Sequence, residues 1–187
     1  MKATALEIPE VLLLAPQVHA DERGFFLESF NQTTFSDATG ISSVFFQDNH
    51  SQSAQGVLRG LHYQIRQPQG KLVSVVCGAV FTVAVDLRRS SVTFGKWVCT
   101  ELNEYNHHQL WIPPGFAHGF LALSATADVH YKATDYYAPQ AEGCIRWDDP
   151  ALGIQWPLGG LVPALSAKDA AALPLPPDPS TSHRNSA

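Results

Sequence analysis

The chain's 187 residues are 45% hydrophobic and only 16% charged, enough apolar matter for one core, too short for two typical domains, and too apolar for wholesale disorder. Seventeen acidic residues against 12 basic ones give a net charge of −5, which argues against nucleic acid as the main partner, because phosphate neutralisation needs a basic surface. A weakly charged surface also hints at burial against a second subunit.

Near the N-terminus, Glu7 and Glu10 precede an apolar run, Val11 to Leu14, that is too short for the core of a signal peptide. The longest apolar stretch, Leu72 to Val85, is interrupted by Ser74, Gly78 and Thr82 and falls short of the roughly 20 residues of a membrane-spanning helix. These features predict a soluble, cytoplasmic protein with no membrane partner. Short runs rich in Val, Phe, Tyr and Trp, separated by turn signals, predict strands at 11–14, 25–30, 44–50, 57–64, 72–77, 79–86, 95–102, 109–112, 119–123, 128–136 and 144–147. Helical signal is thin: a turn or two over 33–39, ended by Gly40, and a capping box at Ser166-Ala167-Lys168-Asp169 opening a short helix. From Pro174 the composition turns Pro- and Ser-rich. The expected organisation is one all-β domain, a sandwich or jelly roll, over 1–173, followed by a disordered tail over 174–187.

The familiar catalytic signatures are missing. Neither G-x-x-x-x-G-K-[ST] nor G-x-G-x-x-G occurs, so a bound nucleotide has to be held by side chains; G-x-S-x-G is absent too. Cys77, Cys99 and Cys144 are isolated thiols without a C-x-x-C pair and read as small core hydrophobes in a reducing compartment. His107-His108 is an adjacent pair, and adjacent strand residues point to opposite faces. With no H-x-H spacing either, no metal site is expected.

The chain does concentrate polar residues inside otherwise apolar segments, which suggests a polar cavity, since a buried charge without a partner is costly. Singly, each has an ordinary explanation. Asp21-Glu22-Arg23-Gly24 fits a hairpin turn, His62 a core histidine bonded to a carbonyl, and Asp169 a helix-cap partner of Ser166. Together they form an ordered series: Asp-Glu-Arg-Gly-Phe-Phe at 21–26, Gln-Asp-Asn-His-Ser at 47–51, Leu-Arg-Gly-Leu-His-Tyr-Gln at 58–64, Gly-Lys-Leu-Val at 70–73, Trp-Ile-Pro-Pro-Gly-Phe-Ala-His-Gly-Phe at 111–120, Tyr-Lys-Ala-Thr-Asp-Tyr-Tyr at 131–137 and Leu-Ser-Ala-Lys-Asp at 165–169. This series resembles the dTDP-4-dehydrorhamnose 3,5-epimerase family over about residues 1–172. The resemblance implies a cupin-type jelly roll, a homodimer, no metal or other cofactor, and dTDP-4-dehydro-6-deoxy-D-glucose as substrate. The implied reaction inverts carbons 3 and 5, whose protons are acidified by the carbon-4 ketone.

The resemblance also implies roles. His62 matches the general base and Asp169 the carboxylate that orients it, with some capping of its own helix besides. Lys71 matches the cation near the carbon-4 oxygen, and Tyr131 the acid on the opposite face. Arg23, Arg59 and Lys168 match positions that contact diphosphate or nucleotide, a task for which guanidinium forks are suited. Glu28, Gln47, Asp48, Asn49, His118 and Glu142 match further substrate-binding positions, the plainer alternative for His118 being a residue that merely follows a Pro-Pro-Gly-Phe-Ala turn. Phe25 and Phe26 fit either a stacking surface or core. In the family the N-terminal segment crosses to the partner subunit, so Arg23 or Glu28 is expected to serve the neighbour's site. Strand alternation along 129–137 independently sets Tyr131 on the face of Val129, Ala133, Asp135 and Tyr137, opposite His130 and Lys132. Competing readings are an epimerase of a deoxysugar pathway acting on carbon 3 or carbon 5 alone, a metal-dependent cupin oxygenase, and a sugar-binding cupin without catalysis.

Overall fold

A computed structural model describes residues 1–176. Its strands are β1 (Lys2–Ala5), β2 (Leu12–Ala15), β3 (Val18–Asp21), β4 (Gly24–Leu27), β5 (Gln47–Ala54), β6 (Leu58–Gln64), β7 (Lys71–Cys77), β8 (Ala79–Asp86), β9 (Trp97–Asn103), β10 (Gln109–Ile112), β11 (Phe116–Ala122), β12 (Thr126–Ala133) and β13 (Glu142–Cys144), with helices α1 (Gln32–Thr39) and α2 (Ala167–Ala170). Two antiparallel sheets face each other, one in the order β1-β2-β10-β7-β12-β5 and the other β13-β6-β11-β8-β9; β3 and β4 form a separate hairpin. This is the jelly roll expected from the strand-rich sequence.

The core follows from strand alternation. Along β8, Val80 and Ala84 face the space between the sheets, where Val73, Val75, Leu110, Phe116, Phe120 and Val129 meet them. The alternate residues Val83 and Val85 face outward, yet they are buried as well, under Leu61, Ile145 and Leu152. Residues of the C-terminal segment thus cover the outer face of the five-stranded sheet, which explains why the β8 part of the Leu72–Val85 run is apolar on both of its faces. No helix among the described residues is long and apolar enough to cross a membrane.

The six-stranded sheet is covered differently. At one end, Phe35 of α1 packs with Leu14, Leu72 and Trp111. Asn31 caps α1 by accepting from the Thr33 and Thr34 amides, and Gly40 ends it in the left-handed region at φ 71°. Elsewhere that outer face is open, with Val76 55% exposed.

Several expected boundaries shift, each for a local reason. The strand expected at 25–30 is instead the β3–β4 hairpin, whose two-residue turn is Glu22-Arg23, so the turn reading of 21–24 holds. Phe25 and Phe26 lie exposed on that hairpin, which rules out a place in the core. The chain leaves β4 at Glu28 because Asn31 starts α1. The strand expected at 144–147 runs over Glu142–Cys144, and Ile145 bridges to Leu173 instead. At the C-terminus Pro174 to Pro176 are not detached: the Leu175 amide donates to Asp149 Oδ2 at 2.6 Å and its side chain packs on the outer core. The remainder of the expected tail, 177–187, lies outside the described residues.

Candidate active site

A cleft of about 360 Å³ opens between the two sheets. The six-stranded sheet supplies Lys71 from β7, Tyr131 from β12 and Gln47, Asn49 and Ser51 from β5; the five-stranded sheet supplies Arg59 and His62 from β6, His118 and Phe120 from β11 and Glu142 from β13. The two walls therefore carry different chemistry toward the same space.

His62 and Arg59 are three residues apart, a spacing that in a regular strand would send them to opposite faces. They share the cleft because β6 and β11 slip register between His118 and Phe120. Glycine makes the slip sterically possible. Gly60 has φ 115°, and a Cβ there would lie 2.6 Å from Gly119 Cα and 2.7 Å from the His118 carbonyl oxygen.

His62 Nε2 lies 2.5 Å from Asp169 Oδ1. Asp169 is 3% exposed and arrives on α2, far along the chain. Its amide donates to Ser166 Oγ at 3.1 Å, so Ser166 caps the helix while the Asp169 carboxylate turns to His62. A carboxylate at Nε2 holds the proton there and leaves Nδ1 as the nitrogen with a lone pair. Burial lowers the His62 pKa, and the Lys168 and Lys71 charges push the same way; together they outweigh the opposing pull of Asp169. The imidazole is therefore neutral at pH 7 and competent as a base.

Cys144 sits directly across from His62 in the β13–β6 pairing. Its thiol approaches the same Asp169 Oδ1 at 3.6 Å. Burial and the Asp169 charge push that thiol up to about 12, so it is a neutral donor.

On the opposite wall, the Lys71 ammonium lies 5.9 Å from the centre of the Tyr131 ring. Among the described residues no carboxylate reaches ion-pair distance of it. Burial lowers its pKa to about 8, against the pull of Glu142. A half-buried lysine without a carboxylate partner is costly in a purely structural role. Tyr131 is on the face of Val129 and Ala133, as alternation predicts. Burial, with Glu142 nearby, raises its pKa above the ordinary phenol value, so it keeps its proton.

His118 is 7% exposed, and Thr82 Oγ1 lies 2.9 Å from its Nε2. Burial, with Lys71 nearby, holds its pKa well below the ordinary imidazole value. Of the binding positions, Arg59 is held by Ser53 Oγ at 3.0 Å and the Gln52 carbonyl at 3.1 Å. Gln47 Nε2 donates to Asn49 Oδ1 at 2.8 Å. Glu142 accepts from the Tyr137 hydroxyl at 2.8 Å and pairs with Lys168 at the rim.

Three expected positions are not brought together with these. Asp48 follows Gln47 on β5, and alternation turns it to the outer face, where it accepts from Lys132 Nζ at 2.9 Å. Arg23 is on the hairpin, paired with Asp21 at 2.6 Å and exposed. Glu28 accepts from Asn31 Nδ2 at 3.1 Å and Thr34 Oγ1 at 3.0 Å, at the start of α1. Conversely, Ser51, Gln69, Phe120 and Tyr137 line the cleft without having been singled out. The Ser51 hydroxyl is buried with no hydrogen-bond partner among the described residues. The 47, 49, 51 alternation would have found it and set Asp48 aside.

The family model described as dTDP-4-dehydrorhamnose 3,5-epimerase matches residues 5–176. The chain is 60% identical over 169 residues to the dTDP-4-dehydrorhamnose 3,5-epimerase of Pseudomonas aeruginosa, covering 90% of this chain and 93% of that one. It is 58% identical over 166 residues to the Salmonella typhimurium protein of the same name, covering 88% and 90%. The crystal structure of a dTDP-6-deoxy-D-glucose-3,5-epimerase from Legionella pneumophila in complex with dTDP-4-keto-L-rhamnose superposes with a TM-score of 0.90 at 53% identity, covering 92% of each chain.

Proposed function

This chain belongs to the dTDP-4-dehydrorhamnose 3,5-epimerase family, and from that premise we propose that it inverts carbons 3 and 5 of dTDP-4-dehydro-6-deoxy-D-glucose, yielding dTDP-4-dehydro-L-rhamnose. It is an isomerase that works through an enolate at the carbon-4 ketone. The observation that carries this reading is a neutral, carboxylate-backed imidazole on one wall of a cleft, with a protonated phenol and an ammonium on the other. Epimerisation requires that a proton leave one face of a carbon and another arrive at the opposite face, and the two walls supply that separation.

In this reading His62 Nδ1 takes the proton and Asp169 stabilises the imidazolium. Lys71 neutralises the enolate oxygen. Tyr131 returns a proton from the other side, and exchange with solvent resets both groups. Arg59 and Lys168 meet the diphosphate; Gln47, Asn49, His118 and Glu142 position sugar and nucleoside.

The test is turnover of dTDP-4-dehydro-6-deoxyglucose in deuterated water, followed by NMR. Deuterium is expected at carbons 3 and 5. Label at carbon 3 alone would identify a single epimerase, and none at all would overturn the reading. His62→Ala is expected to remove exchange at both carbons, with turnover down about 10²–10⁴-fold as for loss of a general base. Tyr131→Phe keeps some exchange and loses product.

We further read the molecule as a cytoplasmic homodimer. Three free cysteines support a reducing compartment. The exposed hairpin, with Phe25 and Phe26 at its surface, and the open face around Val76 support a second copy. Gln109 Oε1, buried beneath that face, has no hydrogen-bond partner among the described residues, which supports the same assignment. Arg23 and Glu28 would then reach the neighbour's cleft.

A further inference from the structure

We propose that His62, Cys144 and Asp169 form a site for a thiophilic divalent cation, Zn²⁺, which inhibits the enzyme by taking the imidazole nitrogen that Asp169 otherwise holds. Their donor atoms, one each of nitrogen, sulfur and oxygen, all lie within 4.8 Å of one another.

The spacing is near what the ion demands. Zinc bonds sulfur at about 2.3 Å and oxygen or nitrogen at about 2.0 Å, so a tetrahedral angle sets a sulfur and an oxygen about 3.5 Å apart. Cys144 Sγ and Asp169 Oδ1 are already 3.6 Å apart. His62 Nε2 and Asp169 Oδ1, at 2.5 Å, need to open to about 3.3 Å. The three donors come from β6, β13 and α2, and β6 and β13 are locked in register at His62 and Cys144. His62 and Cys144 are both only half-buried, so the ion has a way in. Three protein donors also leave a fourth position for water, as in open zinc sites.

Inhibition follows from proton placement. Zn²⁺ displaces the thiol proton of Cys144 to solvent as the Zn–S bond forms. The proton on His62 Nε2 moves to Nδ1 as the Zn–N bond forms. A neutral imidazole metallated at Nε2 and protonated at Nδ1 has no lone pair left toward the cleft, so it cannot act as a base. The metal is thus a poison of this site and plays no part in turnover. A soft thiolate in the donor set discriminates against Mg²⁺, which prefers oxygen.

The effect on turnover rests on the epimerase reading, so the test includes a readout independent of it. Co²⁺, which reports its ligands by absorbance, is titrated into the full-length protein. A thiolate-to-cobalt charge-transfer band is expected in the near ultraviolet, and it is expected to vanish in Cys144→Ser and Cys144→Ala while Cys77 and Cys99 remain. In the epimerase assay, Zn²⁺ is expected to inhibit reversibly, with a chelator restoring activity and Mg²⁺ without effect. Measured against its own zinc-free turnover, Cys144→Ser is expected to need at least tenfold more Zn²⁺ for half inhibition than the parent does. A band that survives in both Cys144 variants, or no band at all, overturns the site. Unchanged zinc sensitivity in both variants overturns the inhibitory role even where the band behaves as expected.

Discussion

Lys71 sits where a charge is poorly solvated, and the proposed mechanism puts that position to use. An ammonium held in the cleft without a carboxylate partner is free to answer the negative charge that develops on an enolate oxygen. The same burial sets an upper pH limit. Lys71 serves only while protonated, so activity is present below its pKa of about 8 and falls as pH rises through it. His62 serves only while neutral, and burial lowers its pKa, so the acid limb lies below the ordinary imidazole value of about 6.5. The pH profile of kcat/KM is therefore expected to be a bell with its basic limb near 8. Lys71→Arg, which stays charged, is expected to keep part of the activity and lose that limb; a limb unmoved in Lys71→Arg would assign it to another group. Lys71→Met is expected to cost about 10²–10³ in kcat, the range for loss of one oxyanion donor. The types of these residues were legible in the sequence, because a base, a phenol and a lysine in family order point to proton transfer. Their proton states were not, because those depend on burial that no local segment encodes.

At the scale of elements, the β6–β11 pair does the geometric work. Gly60 and Gly119 lie backbone to backbone, and the register slip beside them turns Arg59 and His62 into one cleft. Gly60→Ala would drive a Cβ to 2.6 Å from Gly119 Cα at a φ of 115°. It is expected to destabilise the fold by about 3 kcal/mol, seen as a lower denaturant midpoint, with weaker activity even where folding persists. A midpoint unchanged from the parent would show that the contact relaxes easily. Strict alternation predicted Tyr131 correctly because β12 is regular there. Applied to β5 it separates Asp48 from Gln47 and Asn49, but the resemblance carried the three residues as a block. It placed Tyr137 on the Tyr131 face, but β12 ends at Ala133 and Tyr137 reaches the cleft through an irregular turn. The hairpin was hard to see for another reason. All four residues of β3 are exposed, and Val18-His19-Ala20-Asp21 is too short and too weakly apolar for its alternation to stand out.

For the whole molecule, the decisive question is where the hairpin finds its counterpart. Within one chain Arg23 and Glu28 do not line the cleft. If the hairpin serves a second copy, two different inactive chains should repair each other. Arg23→Ala spoils the site it lends to, while His62→Ala spoils its own. Mixing the two under conditions that exchange subunits is expected to restore part of the activity, because one of the two sites in the mixed dimer then has both residues. No recovery despite proven exchange would mean that Arg23 acts within its own chain. The sequence announced this possibility only indirectly, through a low charge content that suits a buried face. Assembly also has an order in time. The barrel strands end at Cys144, while Asp169 arrives later on α2, in a segment tied back by the Val57–Ala164 bridge, the Ile145–Leu173 bridge and the Leu175 amide. A ribosome delivers the chain N-terminus first. In the proposed mechanism, a nascent molecule that closed its sheets first would still lack the carboxylate behind His62, and activity would wait for the segment carrying α2 to dock.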